Sequence, residues 1–331
     1  MTTLYLHALG HFHPGNVVDN RFLEELDIGT SDAWILERVG IRERRTVLPL
    51  DYIRRTRNAD VRAGFEAAEY GNVETARRAA LHALSRAGLA PADIGMVISG
   101  GCTTDAAIPA EACRVAAALG IDAAAFDVGA ACSSFGVQLH LLSSMAASLP
   151  PYVLVVNPEN TTRVVDYADR STAVLWGDGT SAAIVSSSVP SRVRVVAATM
   201  ASSPAGCDAV TIPRFGHFRQ EGSAVQRFAI KTTVAAARAL LPAAHARVVE
   251  TGGQLRFIGH QANRLMLEAA AQRIEVGQHW HNVEAFGNTG AAGAPTVLSQ
   301  RWDELADGDV VVLVVVGSGL TWSSVQIEIG G

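Results

Sequence analysis

The stretch Ala124-Ala-Phe-Asp127-Val-Gly-Ala-Ala-Cys132-Ser-Ser-Phe135 decides how the rest of the chain is read. Ala124 to Val128 reads as a strand, small residues carry the chain through a turn, and a helix-compatible apolar stretch follows. That order puts the Cys132 sulfur at or near a helix N-terminus, where unpaired N–H groups and the helix dipole favour thiolate. Taken alone, a cysteine among alanines is more often a small buried hydrophobe. Two downstream stretches change that reading: Gly259-His260-Gln-Ala-Asn263 and Phe286-Gly-Asn288-Thr-Gly-Ala-Ala-Gly293.

His260 follows a strand-like run and opens a helix, a corner that projects side chains into a cleft. An adjacent imidazole activates a thiol nucleophile. Asn288 lies in a glycine loop, where a turn role is the default. Its chemical value is that it carries no charge. With a neutral His260 it can donate hydrogen bonds to a developing enolate oxygen without protonating the carbanion, whereas a carboxylate would act as a base. The amides of Cys132 and of Ser318, in the turn Gly317-Ser318-Gly319, are candidates for an oxyanion hole.

Composition fits such an enzyme. The 331 residues are 49% apolar and 18% charged, enough for a sizeable core in one large or two medium domains. A net charge of −5 gives no sign of nucleic acid or an anionic membrane surface. Four cysteines are too few for a disulfide framework, and Cys102, Cys113 and Cys207 read as packing residues. No signal peptide is visible, and the longest apolar run, Val310 to Val316, is a buried strand rather than a membrane span, so a reducing cytoplasm is the expected setting. The pairs His11/His13 and His279/His281 lack an obvious third ligand, so no metal is expected. Arginines are dense between Arg38 and Arg62 and mostly read as a solvated face.

Helical and strand patterns alternate, which predicts an α/β fold. Helices are expected over Asn72 to Gly88, Pro109 to Gly120, Val225 to Leu241 (ended or kinked by Pro242) and Ala262 to Arg273. Strands are expected over Ile94 to Gly100, Val153 to Val156, Ala182 to Ser186, Leu255 to His260 and Asp309 to Val316. The element order repeats, predicting an N-terminal half (1–188) with the cysteine and a C-terminal half (189–331) with the histidine and asparagine.

The chain resembles the β-ketoacyl-acyl-carrier-protein synthase III family of the thiolase superfamily. Besides the three stretches above, the likeness rests on Thr30-Ser-Asp-Ala-Trp34-Ile-Leu-Glu-Arg38-Val-Gly-Ile-Arg42-Glu-Arg44, Ala112 to Gly120, Arg163-Val-Val-Asp166 through Gly177-Asp-Gly179, and Gly319-Leu-Thr-Trp322. The resemblance implies a five-layer αβαβα fold of two pseudo-repeated halves, a homodimer, and a Cys132-His260-Asn288 triad. It implies acylation of Cys132 by an acyl thioester, then Claisen condensation with a second thioester on acyl carrier protein or coenzyme A. No cofactor is implied, since these carriers are substrates. Trp34, Arg38, Arg170 and Asn263 would bind coenzyme A or its pantetheine arm, and Arg227 and Arg264 would dock the carrier protein.

Some positions depart from the family pattern. Ser134 and Ser318 stand where glycine is usual, residues 47–70 are longer and more basic, and residues 201–221 are shorter. Ile108 stands where a phenylalanine often reaches across the dimer toward the partner's acyl pocket, which predicts a medium or long acyl chain. These departures also fit relatives that join two acyl chains into pyrone, resorcinol or cyclohexanedione products. A degradative thiolase would need a second catalytic cysteine near the C-terminal glycine turn, and no cysteine lies beyond Cys207. A hydroxymethylglutaryl-type synthase would want a glutamate base, and neither Glu111 nor Glu159 sits in a recognisable context. A non-condensing acyltransferase and an inactive partner subunit are the remaining alternatives.

Overall fold

The computed structural model describes residues 3–276 and 278–330. Ten strands form one mixed sheet: β1 (Leu4–Phe12), β2 (Met96–Ser99), β3 (Ala124–Asp127), β4 (Val153–Glu159), β5 (Gly179–Ser186), β6 (Val193–Ser202), β7 (Leu255–Gly259), β8 (Gln278–His279), β9 (Val310–Gly317) and β10 (Thr321–Ile329). Their order is β8-β7-β9-β10-β6-β1-β5-β4-β2-β3. Outward from β1 the pairings are antiparallel to β5 and β4, then parallel to β2 and β3. Outward from β6 the same sequence of senses recurs through β10, β9, β7 and β8. β1 and β6 meet in the middle, Leu4 to Leu6 against Val193 to Val195.

Helices α1 (Asn72–Ala87) and α2 (Glu111–Leu119) cover one outer face with alanine-rich stripes against β2, β4 and β5. Helices α3 (Ser134–Met145) and α6 (Gly293–Gln300) lie inside, where Phe135, Leu139, Leu142, Val297 and Leu298 share a core with strands of both sets. Helices α4 (Gly222–Thr251) and α5 (Arg264–Ile274) cover β7 and β9 from the far side. The result is the five-layer αβαβα arrangement. It explains the unbroken apolar runs: strands covered on both faces bury every residue, as β4, β5 and β9 do. No helix among the described residues is long and apolar enough to cross a membrane.

Three expectations need correction. Of the two outcomes expected at Pro242, an end or a kink, the end does not occur, and α4 runs on to Thr251. An interior proline costs about 3 kcal/mol. Leu241, Ala244 and Val248 pack against β7 and β9 around it, and each buried methylene returns about 0.8 kcal/mol. Arg44 does not belong to a solvated face: it is fully buried, its guanidinium donating to Asn20 and to the Val174 carbonyl. Residues 201–221 are more than a shortened loop. They form a 3₁₀ turn (Pro204–Ala209) and a small ribbon, Val210–Thr211 paired with Arg219–Gln220, lying over the site described next.

Candidate active site

Cys132 leaves β3 through Ala131, which holds a positive φ of 46°. Left-handed backbone costs a non-glycine residue roughly 1–2 kcal/mol, so the turn has to be held. The two serines after the cysteine hold it. Ser133 Oγ donates to Ala130 O at 2.7 Å, and Ser134 Oγ donates to Ala131 O at 2.6 Å while accepting from Ala130 N at 2.9 Å. Ser134, unusual by its resemblance, thus braces the turn with a bond that glycine lacks. α3 begins at Ser134, so Cys132 sits just before a helix N-terminus, as expected.

Cys132, His260 and Asn288 line one cavity of about 540 Å³, within the ~300–1,000 Å³ usual for small-ligand sites. His260 follows β7, and its Nδ1 is buried with no hydrogen-bond partner among the described residues. Asn288 is held by its backbone, donating to Leu175 O at 2.8 Å and accepting from Gly177 N at 3.1 Å. Its side-chain Oδ1 accepts from Gly290 N at 3.0 Å. The Cys132 thiol is held well below its ordinary pKa by a hydrogen bond from Cys102 and by His260, against the opposing effect of burial.

Gly317, one residue before Ser318, packs its backbone closely against the turn that carries Cys132. A Cβ on Gly317 would lie 2.9 Å from the amide nitrogens of both Cys132 and Ser133. Ser318 lines the cavity, and its Oγ donates to Val210 O at 2.6 Å, tying the final turn to the covering ribbon. Because its added methyl would meet backbone atoms, Gly317→Ala is expected to displace the Cys132 turn and to lose about 10²-fold in the rate of Cys132 acylation, comparable to losing one oxyanion donor. Stopped-time intact mass spectrometry with acyl-coenzyme A reads that rate, and an unchanged rate would remove the amide pocket from consideration.

Two residues read in the sequence as bystanders belong to this site. Cys102, taken for a packing residue, lines the same cavity with its Sγ 3.7 Å from Cys132 Sγ, while Cys113 and Cys207 are exposed rather than packed. Glu159, at the end of β4, is fully buried. It accepts from Cys102 N at 3.1 Å, Ala291 N at 2.8 Å and Thr161 Oγ1 at 3.1 Å, so it clamps the Cys102 loop to the Asn288 loop. Gly290 has to be glycine beside it: its φ is 52°, and a Cβ would lie 2.4 Å from Glu159 Oε1. Burial, then the nearby Cys132 charge, push the Glu159 carboxyl up to about 8, against the pull of the Ala291 and Cys102 amides.

The outer residues are distributed as follows. Arg38 and Asn263 line the cavity, though the Asn263 carboxamide oxygen caps α5 through Met266 N at 2.8 Å. Arg170 lies 5.0 Å over the Trp34 ring, and Arg38 lies 6.0 Å from it on the exposed side of the same short helix, Asp32–Arg38. Arg264 is ion-paired to Glu268 at 2.6 Å and Glu284 at 2.9 Å. Arg227 makes no ion pair among the described residues and shares a shallow surface hollow with Lys231, Arg238 and Arg273. Ile108 is 86% exposed and lies outside the cavity of its own chain.

Comparison with known proteins follows the same lines. Residues 126–204 match the pattern described as 3-oxoacyl-[acyl-carrier-protein (ACP)] synthase III, and residues 251–329 match that of its C-terminal part. A β-ketoacyl-[acyl-carrier-protein] synthase III of Oceanobacillus iheyensis is 32% identical, with 97% of each chain covered. The crystal structure of 3-oxoacyl-[acyl-carrier-protein] synthase III from Aquifex aeolicus superposes with a TM-score of 0.85 at 30% identity, covering 98% of this chain and 99% of that one. A priming β-ketosynthase of a polyketide biosynthetic pathway gives a TM-score of 0.80 at 25% identity, covering 99% and 96%.

Proposed function

The chain belongs to the 3-oxoacyl-[acyl-carrier-protein] synthase III family, and we propose that it runs a two-step condensation through Cys132, His260 and Asn288. It is an acyl-transferring condensing enzyme acting on acyl thioesters. In the first step the Cys132 thiolate attacks the carbonyl carbon of an acyl thioester, the C–S bond to the carrier breaks, and the carrier leaves as a thiolate that takes up the proton Cys132 had given up. The developing oxyanion would accept hydrogen bonds from the backbone amides of Cys132 and Ser318. In the second step a malonyl thioester breaks the bond to its carboxylate and releases carbon dioxide, or a β-ketoacyl thioester gives up an α-proton to solvent, and the enolate oxygen of the resulting carbanion accepts hydrogen bonds from His260 and Asn288. The carbanion attacks the acyl-Cys132 carbonyl, a C–C bond forms, and the thiolate is released for the next cycle.

The observation that carries this reading is the meeting of a thiol held toward thiolate, an imidazole and a carboxamide in one cavity. The test is product analysis with paired acyl-coenzyme A and malonyl-carrier substrates. Loading of Cys132 followed by a lengthened β-ketoacyl product supports the reading. Loading followed by transfer to an alcohol, with no new C–C bond, rejects it.

Arg38, Trp34, Arg170 and Asn263 would take the coenzyme A or pantetheine arm at the cavity mouth. Arg170 stacks on Trp34 itself, so an adenine has to slide between the two or displace the guanidinium. For carrier docking we favour Arg227 over Arg264, because the latter already neutralises two carboxylates. The two halves, 1–188 and 189–331, are read as structural repeats that each supply part of the site. A homodimer is part of this reading, supported by β3, which ends the sheet with Ala124 and Asp127 exposed and offers an edge on which a second copy can pair.

In that dimer Ile108 would reach the partner's acyl pocket, and its smaller volume leaves room there for a longer chain than a phenylalanine would. Cys132 loading is therefore expected to be at least ~10-fold faster with medium-chain acyl-coenzyme A than with acetyl, two or more buried methylenes being worth that much. A series of acyl lengths read by intact mass checks this, and a sharp preference for acetyl would refute it.

A further inference from the structure

We propose that Cys102 is a resolving thiol for Cys132, so that a hydroperoxide entering the cavity converts the pair into a reversible intramolecular disulfide. Three observations carry this. The two Sγ atoms, from residues thirty apart in sequence, stand 3.7 Å apart. Both line the one cavity, so a small oxidant that reaches Cys132 also reaches its neighbour. Cys102 sits in the loop after β2, behind Gly100 and Gly101, where its amide donates to Glu159 and its sulfur points at Cys132. A disulfide needs the sulfurs at about 2.05 Å, so the pair has to close from its 3.7 Å contact for the bond to form.

The chemistry balances with hydrogen peroxide as the oxidant. The Cys132 thiolate attacks one peroxide oxygen, the O–O bond breaks, hydroxide leaves, and the sulfur becomes sulfenic acid. The Cys102 sulfur then attacks the Cys132 sulfur and the S–O bond breaks. The departing hydroxide takes the Cys102 proton and leaves as water. In the resting site Cys102 stays protonated because it donates to the Cys132 thiolate and is buried beside it. Oxidation removes that negative charge, and with it the first reason for Cys102 to keep its proton. The disulfide would withhold the nucleophile from acyl thioesters and from irreversible oxidation to sulfinic acid. A thiol such as dithiothreitol would reverse it.

The test needs only the purified chain. The reduced protein is treated with hydrogen peroxide, unfolded, alkylated with iodoacetamide and digested. A linked peptide pair containing Cys102 and Cys132, lost on dithiothreitol treatment, supports the proposal. In Cys102→Ser and Cys102→Ala the same treatment should drive Cys132 to sulfinic acid at least ~10-fold faster than in wild type, because the neighbouring thiol no longer intercepts the sulfenic acid. Sulfinic acid at Cys132 in wild type with no linked pair overturns the proposal, as does pairing of Cys132 with Cys113 or Cys207. The wild-type peptide map is decisive even if neither variant folds.

Discussion

Replacing Cys132 with alanine is expected to abolish the acyl adduct and to lower condensation by on the order of 10⁴-fold or more, as loss of a covalent nucleophile does elsewhere. The cavity makes this a sharper test than usual, because a second thiol stands 3.7 Å from the lost sulfur. Cys102 should not take over. Its hydrogen bond to Cys132, the largest cause of its raised pKa, goes with the lost sulfur, but burial and the neighbouring Glu159 still push the Cys102 thiol up. Intact mass after incubation with acyl-coenzyme A should show an adduct on wild type and none on Cys132→Ala; an adduct on Cys102 would reassign the nucleophile. The pH profile gives the sign independently. Cys132 is held below its ordinary pKa, so the thiolate is fully formed above that lowered value and is lost as pH falls through it. Alkylation of Cys132 by iodoacetamide should therefore reach its plateau well below pH 9, and His260→Ala should move the inflection upward.

The three loops of the site were legible because each combines a chemically distinctive residue with small neighbours that allow a close turn. Cys132 followed by an apolar helix, His260 at a strand end and Asn288 among glycines carry their meaning in local sequence. What escaped reading was contact at a distance. Cys102 follows two glycines and looks like any small apolar residue; only the parallel pairing of β2 with β3 brings its loop beside Cys132. Glu159 ends an apolar strand as one more polar residue, and its role depends on donors from Cys102, Thr161 and Ala291, which no spacing rule connects. Arg44 lies in a run of arginines that periodicity cannot sort into buried and exposed members. Pro242 shows the opposite failure: a strong local rule gave way to packing on both sides of the proline. Strand order was legible only as repetition of elements, because the pairing senses that make the two sets equivalent are set by crossovers rather than by composition.

Asn288→Asp is expected to separate the two half-reactions, leaving Cys132 loading within about 10-fold of wild type while condensation falls about 10²–10³-fold, the usual cost of one oxyanion donor. The loop should survive the change. Its position rests on backbone bonds to Leu175 and Gly177, and an aspartate oxygen can still accept from Gly290 N as Asn288 Oδ1 does. What changes is the other side-chain atom. With Oδ1 engaged by Gly290, the Nδ2 group is the part of Asn288 left to donate to the enolate, and in the variant it becomes a second carboxylate oxygen. An anion there repels the developing enolate and can take or hold a proton the carbanion chemistry needs to avoid. Loading is expected to be less affected, because the oxyanion of that step is assigned to the amides of Cys132 and Ser318 rather than to Asn288. It slows somewhat, since a carboxylate in the cavity also disfavours the Cys132 thiolate. The measurement is a paired assay on one preparation, intact mass for the acyl-enzyme and product analysis for the new C–C bond. An acyl-enzyme that accumulates without turning over is the expected result. Equal losses in both steps would mean that Asn288 shapes the pocket rather than stabilising the enolate, and Asn288→Ala, which removes the donor without adding charge, would then show the same even loss.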